Sequence, residues 1–147
     1  MDELRELYQE VILEHYKSPR NFGRLDHPTH QGEGNNPLCG DRLSLELQVK
    51  DEVIRDVRFQ GSGCAISKAS ASLMTTLLKG KTVFEALRLF DQFHYLITTG
   101  KVVSEDVGKL TVLAGVHKYP SRIKCASLAW HTMKNVLQGE SETVTTE

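Results

Sequence analysis

Hydrophobic and polar positions change their spacing several times along this chain, and each change predicts an element. Apolar side chains recur at helical spacing through residues 4–15, and Ser18-Pro19 ends the run, which predicts an amphipathic first helix. His15 lies in this apolar stripe and is expected to pack inside the protein. Residues 43–49 then alternate between apolar and polar, and residues 53–59 continue the alternation after a short turn. This period of two predicts a pair of antiparallel strands.

The second half of the chain returns to helical spacing. It does so in four stretches: residues 67–80, residues 82–100, a short stretch beginning at Ser104, and residues 120–139. Thr82 and Glu85 have the spacing of a capping box, and Ser67 is the expected cap of the stretch before it. Glycines at positions 80, 100 and 139 are typical of helix ends. These stretches therefore predict a helical layer.

The remaining segments set the expected architecture. Residues 18–37 contain three of the four prolines and no sustained periodicity, which predicts a long ordered loop. Residues 61–64 are the expected third strand of a meander. The predicted fold class is α+β, a small three-stranded antiparallel sheet with helices packed on one face. Residues 1–139 are predicted to form a single domain, and the polar residues 140–147 a disordered tail.

Composition and charge exclude two classes of partner. The formal net charge of -1 provides no basic excess, so nucleic acid is not expected as a partner. The sequence contains no run of about 18 apolar residues, and a membrane-bound protein is not expected either. The first residues are acidic and amphipathic, unlike a signal peptide, which predicts a cytoplasmic protein. Cytoplasmic thiols stay reduced, so the odd count of three cysteines favours free thiols or metal ligands over disulfides.

The three cysteines and one aspartate are the candidate site. Cys39, Cys64 and Cys125 each lie beside a turn, a glycine kink or a helix start, and Asp41 follows Cys39 across Gly40. Together they form a Cys3Asp set, which suits a tetrahedral zinc ion or a small iron–sulfur cluster. The sequence lacks a Cys-x-x-Cys pair, and isolated cysteines are also common in protein cores. Spacing alone leaves both interpretations open.

A Cys3Asp site would have a specific chemistry. Carboxylate is a harder donor than thiolate, so the Asp41 corner is expected to open most easily. A metal-bound cysteine is held as thiolate, the form that attacks a persulfide or disulfide sulfur. The set could therefore accept sulfur, or hold a cluster loosely and release it. A closed structural zinc site would normally use four cysteines or cysteines with histidines, and Asp41 disfavours that class.

The segments around the three cysteines resemble the motifs of the SufU/IscU/NifU N-terminal family of iron–sulfur cluster assembly proteins. They read Asn36-Pro37-Leu38-Cys39-Gly40-Asp41, Gly61-Ser62-Gly63-Cys64-Ala65-Ile66-Ser67-Lys68-Ala69-Ser70 and Arg122-Ile123-Lys124-Cys125-Ala126-Ser127-Leu128-Ala129-Trp130. The resemblance covers nearly the whole chain apart from its tail, and it implies a SufE/IscU-like α+β fold.

The chain differs from IscU-type scaffolds of that family in three features, and in these it resembles the SufU branch. Lys124 replaces the histidine that precedes the third cysteine in IscU-type scaffolds. The chain reads Tyr119-Pro120-Ser121-Arg122 in place of the Pro-Pro-Val-Lys segment of those scaffolds, and it carries an insertion at about residues 82–100. The resemblance implies a protein that binds zinc through a Cys3Asp site and takes persulfide sulfur from a SufS-type cysteine desulfurase.

The resemblance also implies individual roles. Cys39 is the expected sulfur acceptor, while Asp41, Cys64 and Cys125 complete the metal site. Arg122 is expected to assist docking or transfer. The alternative is a non-enzymatic scaffold, in which the same four residues hold iron or a transient [2Fe-2S] cluster that passes to apo-proteins. The choice between a sulfurtransferase and a scaffold stays open at this stage.

Overall fold

A computed structural model describes the backbone of residues 2–140 and 143–146, with side chains described from residue 10 onward in these ranges. Its elements confirm the α+β class. They are α1 (Asp2–Lys17), β1 (His30–Asn36), β2 (Asp41–Lys50), β3 (Val53–Ser62), α2 (Ala65–Leu78), α3 (Val83–Thr99), a 3-10 segment (Glu105–Lys118), α4 (Pro120–Leu137) and β4 (Val144–Thr145).

The sheet has four strands among the described residues, in the order β3-β2-β1-β4. The strands β1, β2 and β3 are antiparallel neighbours, and β4 pairs in parallel with Gly34 and Asn35 of β1. The expectation of three strands was therefore too low by one. The expected third strand at residues 61–64 is also wrong, because Gly61 and Ser62 end β3 and Cys64 caps α2.

The strand that sequence patterning missed is β1, which lies inside the predicted loop of residues 18–37. None of its inward positions carries an apolar side chain, and two of them are the glycines Gly32 and Gly34. A Cβ added at Gly32 would lie 2.2 Å from a methyl carbon of Val136, and one at Gly34 would lie 2.3 Å from Thr132 Oγ1. The strand therefore packs against α4 through its bare backbone, and a hydrophobic alternation cannot mark it.

The expected disordered tail also differs in part from the structure. Val144 and Thr145 form β4, and the backbone N–H of Thr146 donates to the carbonyl of Asn35 at 3.2 Å. Residues 141, 142 and 147 lie outside the described residues. The domain boundary at residue 139 stays a prediction.

The helices cover one face of the sheet, as predicted. Leu45 and Leu47 of β2 are fully buried; α4 packs against β2, and α2 packs against the neighbouring strand β3. In α4, Trp130 is fully buried and stacks on Phe93 of α3 with 4.4 Å between ring centroids. The capping box of Thr82 at the start of α3 is confirmed. This core fixes the ends of β2, α2 and α4 close together, where the candidate residues lie.

Candidate metal centre

Cys39 lies in the turn between β1 and β2, and Asp41 is the first residue of β2. Gly40 between them has a φ of +73°, a left-handed conformation that glycine adopts without strain. The backbone N–H of Cys39 donates to the carbonyl oxygen of Asn36 at 3.2 Å, which closes the turn. The predicted sharp bend therefore exists. It leaves Cys39 partly exposed and buries Asp41, whose exposure is 1%.

Cys64 approaches Asp41 from the start of α2. Its backbone N–H donates to Asp41 Oδ1 at 2.9 Å, and its sulfur lies 3.9 Å from Asp41 Oδ2. This approach requires a glycine before it, because a Cβ at Gly63, where φ is +144°, would lie 2.3 Å from Asp41 Oδ1.

Cys64 is also the N-cap of α2. The sulfur accepts a 3.4 Å hydrogen bond from the backbone N–H of Ser67. The expectation that Ser67 caps this helix is therefore wrong. The first turn of α2 contains no acidic residue. The Cys64 sulfur therefore lies at the positive end of the α2 dipole.

Cys125 reaches the turn from the first half of α4. Its sulfur lies 3.3 Å from the sulfur of Cys39 and 3.4 Å from the carbonyl oxygen of Ser121. The side-chain amide of Asn36 donates to the same sulfur at 3.7 Å. Cys125 is fully buried, unlike Cys39 and Cys64. The three cysteines therefore differ, with one inner thiol and two at the surface of the site.

The structure brings the four predicted residues into one cluster. Donor atoms of Cys39, Asp41 and Cys125 all lie within 4.8 Å of one another, and this group could hold a metal ion. Cys64 lies outside that group and adjoins it through Asp41. The assignment of these residues as metal ligands stays a prediction.

The electrostatics of the cluster fit a cation that prefers sulfur. Burial raises the pKa of the Cys125 thiol, and the hydrogen bond with Cys39 and the nearby Cys64 raise it further. Three thiols and one carboxylate accumulate negative charge when they ionise, and a bound divalent ion would offset it. Soft thiolate donors with one carboxylate suit zinc or an iron–sulfur cluster.

Arg122 brings a positive charge to the same place. A hydrogen bond with Cys125 and the charge of Cys64 raise the pKa of the Arg122 guanidinium, with a smaller effect from Cys39. Arg122 is exposed and lies close enough to the cysteines for their charges to act on it, and its assisting role stays a prediction.

Sequence reasoning missed Asn36. This residue is fully buried beside Cys125, and its Oδ1 has no hydrogen-bond partner within the part of the chain that the structure describes. A polar residue directly before Pro37-Leu38-Cys39 was the available sign. Its location became clear only from the antiparallel pairing of Asn36 with Asp41.

Two features leave the turn accessible. Leu38, next to Cys39, is 70% exposed. A cleft of about 800 Å³ on the polar outer face of the sheet reaches Gly40 and Asp41. A partner could therefore approach Cys39 from outside, whereas Cys125 lies behind it. Within the described ranges, no helix combines the length and the apolar character needed to cross a bilayer.

The fold and the site define an α+β protein with a thiol-rich candidate metal centre at one end of a helix-covered sheet. The chain belongs to the family described as "NifU-like N terminal domain", whose profile matches residues 7–126.

Individual relatives agree with this assignment. The chain is 42% identical over 130 residues to a Bacillus subtilis protein named zinc-dependent sulfurtransferase SufU, with 87% of each chain covered. It is 39% identical to the iron–sulfur cluster assembly scaffold protein IscU of Streptococcus pyogenes, covering 94% of this chain and 87% of that protein. Among solved structures, a putative scaffold protein for the SUF system from Fervidobacterium islandicum matches with a TM-score of 0.83 and 34% identity, covering 90% of this chain and 98% of that one.

Proposed function

We propose that this protein is a sulfur acceptor in iron–sulfur cluster assembly. It takes persulfide sulfur from a SufS-type cysteine desulfurase in the cytoplasm, at a zinc site formed by Cys39, Asp41, Cys64 and Cys125. The sulfur then passes to a scaffold or an apo-protein. The likeness to the Bacillus subtilis zinc-dependent sulfurtransferase supports this function.

The observation that carries the proposal is the placement of Cys39. It lies in an exposed turn, and its sulfur is 3.3 Å from the buried sulfur of Cys125. A cysteine that receives sulfur from another protein must be reachable from outside, while its neighbours hold the site together. Cys39 meets the first condition, and Cys125, behind it, meets the second.

The transfer step conserves atoms and electrons. The Cys39 thiolate attacks the outer sulfur of the desulfurase persulfide, R–S–SH, and forms a new S–S bond. The S–S bond of the donor breaks, and the donor cysteine leaves as a thiolate. Cys39 then carries the sulfur as a persulfide, and no external oxidant or reductant is needed.

The four clustered side chains would hold the zinc ion. When bound, zinc would keep these sulfurs deprotonated at neutral pH. The residues themselves divide the remaining tasks. Asp41 is the hardest donor and the corner expected to open most easily. The helix N-terminus at Cys64 and the buried position of Cys125 keep those two sulfurs in place.

Arg122 is proposed to assist at the same site. Its guanidinium carries a fixed positive charge beside the thiols of Cys125, Cys64 and Cys39. That charge attracts an incoming persulfide and offsets the thiolate that forms during transfer.

Metal analysis and a persulfide assay test the proposal. Protein purified without oxygen is expected to contain about one zinc per chain, as four ligands require. Mixing it with a SufS-type desulfurase and cysteine should place a persulfide on Cys39, detectable by mass spectrometry of peptides. Cys39→Ser should carry no persulfide there. Iron and labile sulfide with little zinc would contradict the zinc-dependent function.

A scaffold function is the second candidate. The Streptococcus pyogenes relative is named a scaffold, and the cluster of Cys39, Asp41 and Cys125 offers the same donors to iron. A scaffold should assemble a [2Fe-2S] cluster from iron and sulfide, visible in its absorption spectrum, and pass it to an apo-ferredoxin. A sulfur acceptor should form persulfide faster than it forms any cluster.

A further inference from the structure

Asn36 connects the parts of the candidate metal centre. It ends β1, and antiparallel register pairs it with Asp41 at the start of β2. Its carbonyl oxygen accepts the backbone N–H of Cys39 at 3.2 Å. Its backbone therefore supports the turn that carries two of the four candidate ligands.

The side chain of Asn36 reaches a third candidate ligand. Its Nδ2 donates to the sulfur of Cys125 at 3.7 Å, across a separation of 89 residues. Both residues are fully buried, so no solvent competes for this contact. A hydrogen bond donated to sulfur favours negative charge on that sulfur and fixes its direction.

Packing alone does not account for this choice of residue. The Oδ1 of Asn36 has no hydrogen-bond partner among residues 10–140 and 143–146, although the atom is buried. An unpaired buried acceptor costs free energy. Leucine has the same number of side-chain heavy atoms in the same branched arrangement and has no polar atom to leave unpaired. The retained amide therefore points to a task at the sulfur.

We propose that Asn36 is a positioning residue for the metal centre, which acts through its side-chain hydrogen bond to Cys125. The bond orients the Cys125 sulfur toward Cys39 and Asp41 and offsets part of its negative charge when the four donors hold zinc. This inference rests on the zinc site proposed above. It adds a residue that is not itself a ligand but determines how tightly the ligands bind.

Two variants of Asn36 test the role. Asn36→Leu removes both polar atoms while keeping the branched arrangement of the side chain, and Asn36→Asp keeps the shape but replaces the N–H donor with a carboxylate oxygen. Mutation of a residue that hydrogen-bonds a metal ligand typically lowers metal affinity by roughly 10–100-fold, and a loss in that range is expected for Asn36→Leu. Asn36→Asp should lose more, because it adds a negative charge beside the sulfur.

Thr132→Val is the matched control. Thr132 is a fully buried polar residue of α4 that faces β1, but its hydroxyl donates to the carbonyl of Leu128 at 2.8 Å rather than to a cysteine. Zinc affinity is measured by competition with a chelator, and folding by thermal unfolding of the metal-free protein. The control should keep the parent affinity whatever its thermal stability.

Spectra separate a direct role at sulfur from a merely structural one. The charge-transfer bands between sulfur and cobalt should shift in Asn36→Leu loaded with cobalt, and stay unchanged in Thr132→Val. In the parent protein loaded with NMR-active cadmium, the Asn36 side-chain N–H should show scalar coupling to the metal through the sulfur. This last measurement does not depend on the folding of any variant.

The outcomes distinguish this inference from the proposed function. Parent-like zinc affinity and an unchanged cobalt spectrum in folded Asn36→Leu would overturn the role of Asn36, as would an absent cadmium coupling. Parent protein that binds no zinc would instead refute the metal site on which the inference rests.

Discussion

The backbone N–H of Cys64 donates a 2.9 Å hydrogen bond to Asp41 Oδ1 and so joins the start of α2 to the start of β2. Asp41 is 1% exposed, and its other oxygen, Oδ2, lies 3.9 Å from the Cys64 sulfur. The carboxylate therefore has two tasks. One oxygen satisfies a backbone donor and shapes the site, and the other lies beside the Cys64 thiol, where it could bind a cation.

These two tasks of Asp41 are separable by mutation. Asp41→Asn keeps an oxygen that accepts the Cys64 N–H, whereas Asp41→Ala leaves that N–H unpaired. Unfolding of the metal-free proteins in urea should show Asp41→Ala less stable than Asp41→Asn by about 1–3 kcal/mol, the cost of an unsatisfied buried donor. Equal stability of the two variants would mean that the hydrogen bond to Cys64 contributes little to the fold.

Release of zinc tests the other oxygen of Asp41. Asp41→Ala is expected to slow transfer of bound zinc to a chelator, because it removes the corner at which a competing ligand enters. Cys64→Ser should lose the metal outright, because it removes a strong thiolate donor. Equal metal loss in the two variants would argue against a labile carboxylate.

Gly63 is expected to be intolerant of any side chain. Its φ is +144°, and an added Cβ would lie 2.3 Å from Asp41 Oδ1. Gly63→Ala should therefore displace the carboxylate, weaken zinc binding and lower the free energy of unfolding by about 1–3 kcal/mol through backbone strain. Chelator competition and urea unfolding measure the two effects.

Two glycines supply the controls for Gly63. Gly115 has open space around its Cα and no positive φ, so Gly115→Ala should be neutral. Gly139 has a φ of +78° and open space, so Gly139→Ala isolates the cost of the backbone conformation far from the metal centre. If Gly139→Ala weakens zinc binding as much as Gly63→Ala does, contact with Asp41 is not the cause.

The predictions that succeeded rested on local patterns. The alternation of β2 and the capping box at Thr82 are visible in short stretches of sequence, since they depend on neighbouring residues. The strand β1 was missed because Gly32 and Gly34 pack by having no side chain. The tail strand β4 was missed because two polar-flanked residues show no period, and only pairing with β1 orders them.

In the candidate site, too, the features set by local sequence were predicted and those set by packing between distant segments were not. The cysteines and Asp41 stood out by residue type and by neighbouring glycines, which chemistry can interpret without coordinates. Their differences could not be predicted. The helix cap at Cys64 and the burial of Cys125 depend on how α2 and α4 pack on the sheet, and the contact of Asn36 with Cys125 spans 89 residues.

Ser70 connects the two helices that present Cys64 and Cys125. Its hydroxyl donates to the carbonyl of Ala126 at 2.6 Å and accepts the indole N–H of Trp130 at 3.1 Å. Ser70→Ala should lower the free energy of unfolding by about 1–3 kcal/mol, because a fully buried indole N–H loses its partner. A thermal or urea unfolding curve of the metal-free protein measures the loss.

A double-mutant cycle verifies the origin of the Ser70 effect. In a Trp130→Phe background the indole N–H is already absent, so Ser70→Ala should cost less than it does in the parent. An equal cost in both backgrounds would assign the effect to the contact with Ala126 alone.

The burial of His15 is expected to make the stability of the protein depend on pH. It is 4% exposed, and its Nδ1 lies 2.7 Å from Ser72 Oγ. Burial lowers the pKa of His15, the charge of Arg20 lowers it further, and the carboxylate of Glu14 opposes this shift. The unfolded chain then binds the proton more readily than the folded protein. The His15 contribution is therefore complete above the unfolded pKa of about 6.5 and is lost as the pH falls below it.

Urea unfolding of the metal-free protein at pH values above and below about 6.5 measures this loss. Asparagine can reproduce the contact of Nδ1 with Ser72, so His15→Asn should keep much of the fold while reducing the drop in stability on acidification. Burial lowers the pKa of His131 as well, so His131→Asn accounts for the second contribution. His27 is exposed, and His27→Asn serves as the control. If the free energy of unfolding of all three variants falls on acidification as much as that of the parent, protonation of a buried histidine is not the cause of the fall.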